Sequence, residues 1–335
     1  MIKNRSNPVK SVSIFLKILK KTTTFDKEHK IYYRGHSRIS FDKNIIPKLY
    51  RKERYRDIYE REHELLINAQ IDYPEEFSRQ NTTFEKMALM QHYKLPTRLL
   101  DLTENPLVAL YFACNDHKNE ENGSVLIFNI HKRIIKYYND ESVSVLCAIS
   151  KIENGQIKEI GEQFDKGVKK YNPKIYKAIL EKSKKGTPII SATRDNIVRF
   201  NNHIIKKKLR EILNSCYSMK HILDEIKYEI PHFKEGSITF TDFDNRILCV
   251  KSRLIDNRIK AQSGIFLLFG INAADKANCP DINYKKNLGN ILLDKIIIDK
   301  NSKEEILKEL RILGISEATL FPGLEHSSVE SLLMP

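Results

Sequence analysis

The sequence lacks the motifs that mark the commonest nucleotide-binding and hydrolytic sites. Its 335 residues include only 12 glycines and no tryptophan. No GxGxxG, GxxxxGK[ST], HExxH or GxSxG pattern occurs. These absences argue against a dinucleotide fingerprint, a phosphate loop, a zincin helix and a nucleophile elbow.

Cysteine is also sparse and scattered, and long apolar runs are missing. The five cysteines form no CxxC pair and have no paired histidines nearby. We therefore expect reduced, mostly buried thiols and no metal site. No run approaches the ~18 apolar residues of a membrane span, and the lysine-interrupted N-terminus does not resemble a secretory signal. The expected protein is cytoplasmic and has no membrane span.

What the sequence has is positive charge. Its formal net charge is +14, in a chain that is 41% hydrophobic and 30% charged, a globular balance. This excess favours an anionic partner, such as a nucleotide, a nucleic acid or an acidic protein. AT-biased coding would also enrich lysine, so charge alone leaves both explanations open. The oligomeric state is left open as well.

The order of the predicted elements indicates an α+β fold. Residues 1–30 hold an amphipathic helical segment, 31–130 the first part of the main domain, 131–235 a Lys-rich helical insertion and 236–335 the second part. Strand patterns flank the helical middle instead of alternating regularly with helices. We therefore expect small mixed or antiparallel sheets with flanking helices.

Several helix starts are marked by capping residues. Thr82 and Glu85 have the spacing of a capping box, and Ser302 and Glu305 have the same spacing later in the chain. Asn105 is a natural N-cap, and the proline that follows it suits the first helical position. The sequence therefore predicts helices that begin next to residues 83, 106 and 303.

Two stretches carry polar side chains where a core is expected. The first is YYRGHS at 32–37, where Arg34 could hold a phosphate or carboxylate by two contacts, or lie at the surface before a turn. Gly35 would leave room for a ligand. The second stretch runs through residues 87–106 and contains Gln91, His92, Thr97, Arg98, Asp101 and Thr103. These could form a site, or a structural network in which Arg98 pairs with Asp101.

These stretches resemble the FRG domain family. The matching segments are YYRG at 32–35, IIPKLYR at 45–51, QHYKLPTRLLDLTENPLVALYFA at 91–113, RIKAQSGIFLLF at 258–269 and ELRILGISEATLFPGLE at 309–325. The basic middle of the chain is unmatched. Lys94 departs from the family, since a glycine is usual there.

A weaker resemblance, in the order of the elements, is to ADP-ribosyltransferases. It implies an ADP-ribosyltransferase-like core and NAD as cofactor, with Arg34 on the phosphates and Thr103 at a hydroxyl position. Gln262 stands where the catalytic glutamate is expected, so Asp101 or Glu325 would supply the negative charge and His92 would act as a base. The remaining implied cofactor contacts are Gly35, Gln91, Thr97 and Arg98.

Three functions follow from these observations. The first is an NAD-dependent ADP-ribosyltransferase-like toxin or anti-phage defence effector. The second is a non-catalytic module that binds nucleic acid or a nucleotide signal, in which Arg34, Arg98 and the basic cluster Lys206, Lys207, Lys208 and Arg210 contact phosphates. The third is a nuclease-like enzyme for phosphoryl transfer that uses His92 and Asp101.

Overall fold

The computed structural model describes residues 7–23, 26–51, 58–116, 120–171, 173, 211, 215–234, 246–253, 257–270 and 291–322. Its strands are β1 His29–His36, β2 Leu99–Thr103, β3 Gly123–His131, β4 Ile135–Tyr137, β5 Ile247–Lys251, β6 Gly264–Phe269 and β7 Leu292–Ile298. Its helices are α1 Val12–Thr22, α2 Glu62–Asp72, α3 Pro74–Ser78, α4 Thr83–His92, α5 Pro106–Cys114, α6 Glu141–Cys147, α7 Asn154–Tyr171, α8 Tyr217–Glu229, α9 Asn257–Ala261, α10 Lys303–Ile312 and α11 Glu317–Leu320.

The described strands form one seven-stranded mixed sheet in the order β4-β5-β6-β2-β1-β3-β7. Its neighbours are antiparallel except for β4 and β5, which are parallel. The predicted α+β class is confirmed. The sheet is larger than the small sheets expected, because β6 from the late part of the chain pairs with β2 from the early part. An ADP-ribosyltransferase-like core stays a prediction.

Helices cover this sheet in a way that follows the sequence pattern. One face of β1, β3 and β7 packs against α1, α5 and α10 through residues such as Phe15, Val108 and Ile306. The opposite face packs on Leu49 and Tyr50. Within the described part of the chain, no helix combines the length and hydropathy needed to cross a membrane.

The sheet opens between β1 and β2. Strand β1 pairs with β3 along its full length, from His29 to His36. Among the described residues it pairs with β2 only where Tyr33 meets Thr103. Beyond that pair the two strands diverge, and the gap between them is where the candidate site lies.

Candidate functional site

A cavity of about 200 Å³ lies at this gap between β1 and β2. It brings together seven residues that the sequence placed in the site: Arg34, Gly35, Gln91, His92, Asp101, Thr103 and Gln262. They come from β1, the end of α4, β2 and the turn before β6. Thr97 and Arg98 do not line it.

Arg34 projects from β1 into the gap and is held there by two neighbours. Its Nε donates to Nε2 of His36 at 2.9 Å, and its Nη1 donates to the main-chain oxygen of Asp101. The Asp101 carboxylate is farther away, with Oδ2 3.9 Å from Nη1. Among the described residues, Nη2 of Arg34 has no hydrogen-bond acceptor. Its two N–H groups are therefore available to a ligand.

The charge of Arg34 survives its burial. Burial lowers the pKa of the Arg34 guanidinium to about 10, and the Asp101 carboxylate opposes the shift. The group therefore stays a cation at neutral pH. The bond from Arg34 Nη1 to the Asp101 main-chain oxygen therefore links β1 and β2 where the described strands are not paired with each other.

A second layer of polar residues lies behind Arg34. His36 Nδ1 is 2.8 Å from Oδ1 of Asp42, which also accepts from Ser124 Oγ at 2.6 Å. Lys295 Nζ lies 3.2 Å from the other Asp42 oxygen. Burial raises the pKa of Asp42, but the hydrogen bonds from His36 and Ser124 and the positive charge of Lys295 bring it below its ordinary value. Asp42 is therefore a carboxylate at neutral pH.

The structure explains the glycine at position 35 by helix packing and not by room for a ligand. A Cβ at this position would lie 1.9 Å from the main-chain oxygen of Ala109 and 2.8 Å from the nitrogen of Ala113. The space that the missing side chain clears is therefore filled by helix α5. Gly35 contributes only backbone to the cavity wall.

Gln91 is oriented by a buried threonine. Thr97 Oγ1 accepts from the Leu99 main-chain N–H at 3.3 Å and donates to Gln91 Oε1 at 3.0 Å. This leaves Gln91 Nε2, a double donor, without a protein partner among the described residues. Thr97 therefore acts on the site through Gln91 and not by direct contact.

Thr103 and Gln262 already have partners in the protein. Thr103 Oγ1 donates to the main-chain oxygen of Gln262 at 2.7 Å and accepts from the Asn105 N–H at 3.0 Å. The Gln262 side-chain amide donates to the main-chain oxygen of Leu320 at 3.0 Å. Both residues thus tie β2, the β6 turn and α11 together, and the Thr103 proton is engaged.

Arg98 lies in the core and not at the cavity. Its Nε donates to Glu62 Oε1 at 2.8 Å, its Nη2 donates to Glu62 Oε2, and its Nη1 donates to the Phe269 oxygen at 3.1 Å. The alternative in which Arg98 pairs with Asp101 is wrong, because Arg98 lies just before β2 and bonds to Glu62 and Phe269, whereas Asp101 lies on β2 and lines the cavity.

The cavity also contains residues that sequence reasoning missed. Arg258 from α9 lines it, with Cζ 4.6 Å from the ring centroid of Phe321. Phe112 lines it as well and meets Phe321 edge-on at 6.1 Å, and Tyr33 adds a buried aromatic wall. The motifs quoted from the sequence contain Arg258, Phe112 and Tyr33, but no local signal gave them a role.

Five predicted residues lie outside the described part of the chain. They are Glu325, Lys206, Lys207, Lys208 and Arg210. Among the described residues of the lining, Asp101 is the carboxylate, and Arg34 and Arg258 are the permanent cations. The arrangement is suited to an anion with flat rings, held by two guanidinium groups, amide donors and aromatic walls.

Comparison with known proteins gives one match. Residues 29–122 match the family model of the FRG domain, a range that runs from the start of β1 to the residue before β3. No curated protein and no solved structure matches the chain. The matched range supplies Arg34, His92, Asp101 and Thr103, whereas Arg258 and Gln262 come from outside it. The comparisons therefore show a match to the FRG domain over residues 29–122 of the chain.

Proposed function

We propose that the cavity binds a nucleotide of the NAD class, with Arg34 on its phosphates. The observation that carries this proposal is the state of Arg34, a cation fixed in place by His36 and the Asp101 carbonyl with Nη2 unpartnered among the described residues. A guanidinium already held in position loses little further freedom when it grips a phosphate. Preorganisation of this kind is typical of anion sites.

The rest of the lining supports a nucleotide over a simple anion. Arg258 adds a second guanidinium, which suits the two phosphates of a dinucleotide. Tyr33 and Phe112 offer aromatic surface to a base, and Gln91 Nε2 offers donors to its polar edge. This arrangement is the reason to prefer NAD over inorganic phosphate as the probe.

A second candidate function, ADP-ribosyl transfer, is favoured by Asp101. Its carboxylate side chain is 57% exposed and lies in the cavity lining. In such a reaction the bond between ribose and nicotinamide breaks, nicotinamide leaves with the bonding electrons, and an acceptor attacks the ribose carbon. Asp101 would stabilise the positive charge on the sugar, and His92 would take the proton of the acceptor. A role as toxin or anti-phage effector stays a prediction.

Binding is tested by titrating the purified chain with NAD in a calorimeter. We expect Arg34→Ala to weaken NAD binding by at least about tenfold, since a charge-assisted contact is lost. The matched control is Arg38→Ala, because Arg38 pairs with Asp116 at the surface and does not line the cavity. Equal affinity of wild type and Arg34→Ala, or no NAD binding by wild type, would refute the proposal.

Turnover is tested separately by measuring nicotinamide release and ADP-ribose adducts. If ADP-ribosyl transfer occurs, Asp101→Asn keeps NAD binding and loses most of the release. Release that is unchanged in Asp101→Asn would remove Asp101 from the chemistry. Binding without release would identify a nucleotide-binding module.

A further inference from the structure

The contact between Arg34 and His36 specifies one form of the histidine. The two residues are two positions apart on β1, so their side chains share a face of the sheet. A guanidinium only donates hydrogen bonds. His36 Nε2, at 2.9 Å from Arg34 Nε, must therefore be an unprotonated acceptor. The proton is then on Nδ1, which donates to Asp42 Oδ1 at 2.8 Å.

This histidine is fixed from several elements. The residue is 6% exposed. Its partner Asp42 comes from the short helix Ile39–Asn44 and is itself held by Ser124 on β3 and Lys295 on β7. A ring clamped between a guanidinium and an anchored carboxylate has a single orientation that satisfies both nitrogens. The hydrogen bonds therefore run from Asp42 through His36 to Arg34. The residues behind Arg34 are buried or half-buried.

The charges around His36 favour the neutral ring. The positive charges of Arg34 and Arg51 oppose protonation of the His36 ring, and the Asp42 carboxylate promotes it. Lys295 lies on the far side of Asp42. Burial is the largest influence and lowers the pKa of His36 below its ordinary value. The ring is thus neutral at physiological pH, as the hydrogen-bond geometry requires.

We propose that His36 is a positioning residue for the candidate site, which acts as the neutral Nδ1–H tautomer to hold Arg34 in its ligand-binding orientation. This proposal rests on the proposed function of Arg34. Without an acceptor at Nε2, the guanidinium keeps only the Asp101 carbonyl and is free to rotate away from the gap. The Asp42 carboxylate acts through His36, because its contact with Nδ1 fixes the tautomer of the ring.

The first test needs no ligand. Long-range ¹H–¹⁵N correlation spectra of the full chain at neutral pH, assigned with His36→Gln, report which ring nitrogen carries the proton. We expect a protonated Nδ1 and an unprotonated Nε2, together with a slowly exchanging Arg34 Nε–H that is lost in His36→Leu. A proton on Nε2, or an Arg34 Nε–H unchanged in His36→Leu, would overturn the proposal.

The second test uses NAD as the probe. A glutamine at position 36 offers an amide oxygen to Arg34, whereas a leucine of similar size offers none. We expect His36→Leu to weaken NAD binding by about tenfold to a hundredfold, the loss typical of a hydrogen bond to a charged group, and His36→Gln to stay within about threefold of wild type. Equal binding by His36→Leu and wild type would refute the positioning role.

The pH profile separates positioning from direct attraction. Protonation of His36 removes the acceptor for Arg34. Because burial lowers the pKa of His36, we expect wild-type affinity for NAD to fall only when the pH is taken below the ordinary histidine value of about 6.5, and His36→Leu to lack this fall. Affinity that rises on acidification would instead make His36 a direct charge partner of the phosphate. If wild type binds no NAD but shows the expected tautomer and Arg34 signal, the proposed function fails while the hold of His36 on Arg34 stands.

Discussion

Two arginines of this chain, Arg34 in the sheet opening and Arg98 in the core, show how burial alone does not define a site. Arg98 is 2% exposed and is bound through both Nε and Nη2 to the Glu62 carboxylate. The Arg34 side chain is 18% exposed and is held by a neutral histidine and a carbonyl, with the nearest carboxylate oxygen at 3.9 Å.

The difference between them lies in the partners. A bidentate carboxylate neutralises the Arg98 charge and uses its fork of donors, so a second anion gains little there. Neutral acceptors fix the Arg34 guanidinium without cancelling its charge. An arginine that is anchored by neutral groups at an opening is therefore a better candidate for binding an anion than one paired with a carboxylate. Variants on each side test this contrast.

The largest effect is expected on the core side, from Arg98→Met. The change leaves Glu62 buried without its partner, and we expect a loss of about 3–5 kcal/mol in the free energy of unfolding. Denaturant titration measures it. The double variant Arg98→Met, Glu62→Leu should recover most of the loss, because both charges are then gone. A single variant as stable as wild type would show that the pair is not structural.

On the cavity side, the largest effect is expected from Gly35→Ala. The added methyl group overlaps the Ala109 carbonyl of α5, and we expect a loss of about 3 kcal/mol, at the upper end for overpacking. Gly155→Ala is the matched control, because a Cβ there meets nothing within 4 Å. If both variants were equally stable in thermal and denaturant unfolding, helix α5 would not be the reason for the glycine.

Arg34→Ala should separate the two arginines most directly. We expect it to reduce the free energy of unfolding by only about 1 kcal/mol, since its partners are neutral and the cavity is open to water. Circular dichroism during urea unfolding, run beside Arg98→Met, provides the comparison. A loss as large as that of Arg98→Met would make Arg34 a structural residue and weaken the case for a ligand.

The smallest effect is expected in the turn that joins the two regions. Lys94 has a φ of 64°, a left-handed conformation that glycine adopts without strain. We expect Lys94→Gly to stabilise the protein by about 0.5–1 kcal/mol. The control Lys308→Gly, in the middle of α10, should destabilise it by about 1 kcal/mol. The same sign for both variants in denaturant titration would contradict this account.

The conformation of this turn also explains why a glycine is usual at position 94. The FRG resemblance marked Lys94 as a departure from a usual glycine, and the backbone shows why glycine is favoured there. Leu95 N–H donates to the Met90 oxygen at 2.9 Å, which closes the end of α4. A lysine at position 94 therefore strains the backbone. Lys94 lies near His92 but does not line the cavity.

Local signals in the sequence determined much of the framework. Thr82 and Glu85 form the predicted capping box, and Asn105 caps α5 through the Leu107 N–H. Such signals succeed because both partners lie within four residues of each other. The box predicted at Ser302 and Glu305 is wrong, because Ser302 Oγ donates to Asp299 instead.

The sequence by itself also placed Arg34 and the stretch from Gln91 to Thr103 near one site, from clustered polar residues and a family resemblance. Only the tertiary structure decided their partners. Glu62 binds Arg98 across 36 residues, α5 occupies the space beside Gly35, and Gln262 meets Thr103 across 159 residues. Capping depends on bonds within one turn, whereas the partner of a buried charge depends on which distant elements pack together.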